Sequence, residues 1–108
     1  MQLWQVWPAR IVYRMESREV RHEPDAHRYT LWVDGEQVGQ ADYELRENTI
    51  AITHTEVDPS RQGSGLGGSL VKGMLDQLAE GELRVIPACP FVATYVERHD
   101  EYKPLTTR

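Results

Sequence analysis

An α/β (α+β) domain is what this sequence predicts, on three observations. Short stretches of alternating apolar and polar residues fill its first half, two stretches with apolar residues at helical spacing fill its second, and a glycine-rich segment divides them. At 108 residues, 40% hydrophobic and 27% charged, the chain has the composition of one globular domain and too little length for two cores.

The elements follow in order. Residues 1–17 hold Trp4, Trp7 and a break at Pro8 but show neither period, so a short strand or an appendage is expected there. We read 1–18 as an amino-terminal extension, with Met15 as a second candidate start, and 19–108 as the domain. From Arg28 the run RYTLWV alternates, Asp34-Gly35 signals a tight hairpin turn, and QVGQADYEL returns as an antiparallel partner. The run TIAITHTEV, residues 49–57, reads as a third strand whose period of two puts Ile50, Ile52, His54 and Glu56 on one face. Leu66, Leu70, Val71, Met74, Leu75 and Leu78 recur at helical spacing, and Gly81 can close that helix. LRVIPA gives another strand. Pro90 suits the first turn of a second helix, with Phe91, Val92, Tyr95, Val96 and His99 along one stripe.

Composition excludes several function classes. A formal net charge of -5 argues against nonspecific binding to nucleic acid or to anionic membranes, which need basic surface. No apolar run approaches the roughly 18 residues of a membrane span. Cys89 is the only cysteine, so no internal disulfide can form, and a reducing, cytoplasmic home is expected. No spacing of His, Cys, Asp or Glu resembles a metal site.

The segment DPSRQGSGLGGSLVKG, residues 58–73, places Gly63, Gly65, Gly67 and Gly68 between a strand and a helix start. There the first backbone N–H groups are unpaired, the helix dipole presents positive charge, and glycines let a ligand approach the bare main chain. Phosphate is the natural guest. A flexible turn is the plainer reading, but Gly67 and Gly68 weaken the helix start without helping a simple turn. A P-loop needs lysine and then Ser/Thr after its last glycine, and Ser69-Leu70 stand there instead. Gly63, Gly65 and Gly68 match the dinucleotide fingerprint, but no acidic residue ends the next strand, and too little chain remains for a doubly wound sheet.

A third design fits. RQGSGLGGSLV resembles the pyrophosphate-binding signature of the GNAT superfamily of acyl-CoA-dependent N-acetyltransferases, with Gln62, Gly65 and Gly67 at its defining positions. LWVDGEQVGQADYEL, VIPACPFVATYVERHDEY and the total length are similar to a subfamily of very small, single-domain GNAT-like proteins, over roughly residues 19–105. Gln62 stands where that subfamily usually has arginine, and residues 1–18 have no counterpart in it. The resemblance implies a mixed, mostly antiparallel sheet flanked by helices, with an acetyl-CoA cleft between splayed strands. It implies that the strand end around Val57 pairs with the pantetheine arm of acetyl-CoA. The loop of Gln62, Gly63, Ser64, Gly65, Leu66 and Gly67, continued by Gly68, would hold the pyrophosphate. Arg61 and Lys72 lie near enough to add charge, although each reads equally as a solvated surface residue.

Acetylation of an amine needs an acceptor for the nucleophile's proton and a donor toward the carbonyl oxygen. Glu56 and His54, at the loop end of the third strand, are candidates for the first role, against the plainer reading of a solvated glutamate and a hydrogen-bonded histidine. Tyr95 is a candidate acid, its ring in the core and its hydroxyl reaching the cleft. His99, Glu101 and Tyr102 read as a structural cap or a wall of the acceptor site. Cys89 precedes Pro90 at a helix start, where the dipole favours thiolate, so it is a candidate for transient acetylation, against the usual fate of a lone cysteine as a packed thiol. The function this predicts is transfer of acetyl from acetyl-CoA to a small-molecule or protein amine. Two other readings stand beside it. One is a noncatalytic CoA-binding module, separated by turnover; the other is an interaction protein with a structural loop, separated by CoA binding.

Overall fold

The computed structural model describes residues 16–108. The expectations for residues 1–15, with Trp4, Trp7, Pro8 and Met15, lie outside the described residues. Strands β1 (Arg18–Glu23), β2 (Arg28–Val33), β3 (Glu36–Arg46) and β4 (Thr49–Val57) are followed by helix α1 (Leu66–Ala79), strand β5 (Arg84–Pro87) and helix α2 (Pro90–Arg98). Short 3-10 turns occupy Pro24–Ala26, Pro59–Arg61 and Asp100–Thr106. The strands lie in the sheet in sequence order; the first three pairings are antiparallel and β4–β5 is parallel. This is the mixed, mostly antiparallel sheet that the resemblance implies.

Local chemistry accounts for most of it. At the β2–β3 turn both Asp34 and Gly35 have positive φ, 49° and 86°, as the expected hairpin requires. Strand β1 has no counterpart in the sequence reading, because only Val20 of REVRHE is apolar. The expected domain boundary at residue 19 falls inside it. Leu31, Ile50, Ile52, Leu70, Met74 and Leu75 are fully buried where α1 lies across the first four strands. At the crossing with β1, Gly73 is required: a Cβ there would stand 2.4 Å from Val20 Cγ2. The far end of α1 has no basic residue in its last turn. The guanidinium of Arg108 covers it instead, donating to the carbonyls of Gly81 at 2.7 Å, Leu83 at 3.0 Å and Ala79 at 3.2 Å.

Two expectations need correction. Ile50 and Ile52 do not share a face with His54 and Glu56. The β3–β4 register slips between Asp42↔His54 and Tyr43↔Ile52, leaving Thr53 as an extra residue that reverses the alternation beyond it. Thr55 and Val57 therefore continue the half-buried face, while His54 and Glu56 are exposed. The stripe on α2 is also shorter than its spacing suggests. Val92 and Val96 are buried, but Phe91 is 46% exposed, and Tyr95 and His99 are half-buried with their rings stacked at 3.9 Å.

Candidate functional site

A four-residue β5 opens the site. Its pairing with β4 ends at Ile52↔Pro87. Pro87 has no N–H to offer a ladder, the Ala88 N–H turns back to the Ile86 carbonyl at 2.9 Å, and the Cys89 N–H closes the last bond, to Ile52 O at 2.8 Å. Strand β4 continues to Val57 with β3 as its only partner strand among the described residues. Between this uncovered edge and the start of α1 lies a cavity of about 420 Å³.

The cavity is lined by Thr55, Glu56 and Val57 of β4, by Gln62, Gly63 and Gly65 of the loop, by Leu66, Gly67 and Gly68 of α1, and by Phe91 of α2. Of the expected cofactor residues only Ser64 is absent from that wall; its hydroxyl donates to the Arg61 carbonyl at 3.0 Å. Gly63 and Gly65 have φ of +95° and +77°, conformations that side chains rarely adopt. Gly65 is the N-cap of α1, and Ser69 N–H to Gly65 O at 3.1 Å is the first intrahelical bond. The N–H groups of Leu66, Gly67 and Gly68 precede it, so they carry the dipole's positive end without an intrahelical partner. The Leu66 side chain itself is buried in the core. Gly67 has a second reason to be glycine, since a Cβ would lie 3.0 Å from the Phe91 ring. Gln62 Nε2 donates to the Val57 carbonyl at 3.3 Å.

The candidate catalytic residues are not brought to one point. Glu56 lines the cavity; beside it His54 Nε2 lies 3.4 Å from Glu56 Oε1, both side chains more than half exposed, so the pair adds little stability. Tyr95 is outside the wall, between α1 and α2, with an edge 3.8 Å from where a Gly68 Cβ would be. Burial raises its pKa. Cys89 is the N-cap of α2 and 7% exposed. It is absent from the cavity wall but touches Thr55, which lines it and whose hydroxyl is 3.4 Å from Sγ. Burial pushes the thiol's pKa up, but the Thr55 hydroxyl and the backbone N–H groups of Val92, Phe91 and Thr55 outweigh it, and the net shift is downward. Sγ faces the first turn of α2 without closing a cap hydrogen bond to it.

Arg61 is ion-paired with Glu36, and Lys72 with Asp76 at 2.9 Å, so both cations have carboxylate partners. His99 caps α2, its Nδ1 2.7 Å from the Tyr95 carbonyl, and Tyr102 donates to Asp76 at 2.5 Å, a structural arrangement. Sequence reasoning missed Thr55 and Phe91 as parts of the wall. A period of two from Val57 points to Thr55, but the bulge that turns it inward has no signature in the sequence.

The family model for GCN5-related N-acetyl-transferases matches residues 28–105. Among solved structures, a GCN5-like protein from Staphylococcus aureus, determined by NMR, is similar with a TM-score of 0.62 and 24% identity, over 81% of this chain and 85% of that one. An aminoglycoside N-acetyltransferase in complex with CoA is similar with a TM-score of 0.51 and 14% identity, over 86% of this chain and 91% of that one. These two likenesses concern the fold. No curated protein matches the sequence.

Proposed function

The chain belongs to the GCN5-related N-acetyltransferase family, and from that premise we propose how its own residues use acetyl-CoA to acetylate an amine. The carrying observation is the cavity in which a glycine loop, a helix N-terminus and an unpaired strand edge meet. The loop from Gln62 to Gly68 suits a pyrophosphate, because four of its residues are glycines with no side chain in the way and the first N–H groups of α1 lack intrahelical partners. The edge of β4 near Val57 suits the amides of a pantetheine arm, which would take the bonds that β5 leaves unmade. Acetyl-CoA supplies the activated thioester. The incoming amine forms a C–N bond as the C–S bond breaks, its proton passes to Glu56 directly or through water, and the sulfur leaves as thiolate. His54, beside Glu56, is placed to take the proton on. In the covalent variant the Cys89 thiolate receives the acetyl group first and the amine then takes it from the cysteine, with Thr55 turned aside. Tyr95 lies outside the cavity wall, and we assign it no step.

We place this activity in the domain of residues 19–108. We infer a small-molecule or protein amine as the acceptor, and a cytoplasmic setting, which a lone cysteine kept as thiol supports. Among the described residues no helix is long and apolar enough to cross a membrane. The test is ligand-dependent melting followed by turnover. Acetyl-CoA at about 100 times its dissociation constant should add roughly 2.7 kcal/mol of stability, a shift of several degrees for a domain of this size. An unmoved melting curve at millimolar acetyl-CoA would remove the reading. Thiol release in the presence of an amine panel then measures transfer. Cys89→Ser with full turnover would assign attack to the amine directly.

A further inference from the structure

Arg18 sits where helix electrostatics disfavours it. The first turn of a helix attracts negative charge and repels cations. Yet the Arg18 side chain crosses from the start of β1 to the start of α1, where Nη1 donates to Ser69 Oγ at 2.7 Å and Nη2 to the Ser64 carbonyl at 3.2 Å. Its Nε donates to Glu16 Oε1 at 2.8 Å, which partly offsets the unfavourable charge. The side chain is only 32% exposed, so it is held rather than waving in solvent.

The geometry of one peptide unit gives this clasp a purpose. In a trans peptide the C=O and the following N–H point in opposite directions, and the described chain has no cis bond. Arg18 draws the Ser64 carbonyl to a flank of the loop that is not part of the cavity, while Gly65, the next residue, lines it. We infer that Arg18 is a positioning residue of the cofactor loop: by holding the Ser64 carbonyl outward it turns the Gly65 N–H toward the cavity. The φ of +77° at Gly65 carries the chain from that peptide into α1 with the turn fixed. The inference rests on the cofactor reading above. It concerns a residue ten positions ahead of the segment that matches the family, 28–105.

The test compares CoA binding by the parent chain, Arg18→Ala and Arg18→Lys, by calorimetry at a temperature where all three are folded. Destabilisation alone then leaves affinity unchanged. Arg18→Ala should bind CoA about tenfold more weakly. Arg18→Lys, which can still reach one of the two acceptors, should recover part of the loss. In the unliganded Arg18→Ala protein the Gly65 amide resonance should move more than those of Gly67 and Gly68. CoA binding by Arg18→Ala within twofold of a parent that does bind would overturn the clasp alone. No binding by the parent would overturn the cofactor reading and the clasp with it.

Discussion

The thiol of Cys89 makes a claim that a pH series can check. Its pKa is lowered because hydrogen bonds to the thiolate outweigh burial, so the alkylation rate of the folded protein should reach half its plateau below the roughly 8.5 of an ordinary thiol. Thr55→Val removes the donor that lowers it most and should move the midpoint upward. A parent midpoint at or above that of free cysteine would return the residue to the packed core. Two glycines of the same loop should respond in opposite directions. Gly68 is helical with its nearest neighbour 3.8 Å from a built Cβ, so Gly68→Ala should raise unliganded stability by about 0.5–1 kcal/mol. Gly65→Val should lower it by about 1–2 kcal/mol, because a branched residue is strained at φ +77°. Thermal melts of both variants decide it. At this scale Gly63 and Gly65 were legible in the sequence because each answers a local demand of the chain, a positive φ. Arg18 was not, since its partner Ser69 lies 51 residues away.

Elements differ in how much of themselves they write into the sequence. The six buried residues of α1, Leu66 through Leu78, match those named from helical spacing, because one wide apolar face packs on a sheet. Strand β1 was invisible for the converse reason: an edge strand buries little, and REVRHE carries charge where a pattern would need apolar residues. The bulge in β4 was equally hidden, and it moved His54 and Glu56 off the face assigned to them. The junction of α1 with β1 can be tested. Gly73→Ala improves helix propensity but places a Cβ 2.8 Å from Val20 Cβ, and should cost about 1–3 kcal/mol. The double variant with Val20→Ala should recover part of that, whereas a neutral or stabilising Gly73→Ala would show that the crossing is looser than described. At the other end of α1, Arg108→Ala leaves several carbonyls without their donor and should cost about 1 kcal/mol in chemical denaturation.

Across the whole molecule, alkaline pH probes the packing. Burial, and for Tyr29 the neighbouring Tyr43, pushes Tyr29 up to about 12; burial and the bond to Asp76 do the same for Tyr102. A phenol whose folded pKa is raised stabilises fully below its unfolded pKa of about 10 and loses that contribution as pH climbs through about 12. Melting temperature should therefore fall over that window, and less steeply in Tyr102→Phe. The parallel pairing of β4 and β5 has a different kind of consequence. Four residues of β5 meet a strand of nine, and the cleft is the remainder. On the proposed reading, ligand capacity is thus a matter of chain length, set by where a proline ends the pairing of two strands. Two or three strand-forming residues inserted after Pro87 to extend the β4–β5 pairing should, on that reading, abolish CoA binding, although Val57 and the glycine loop keep their sequence.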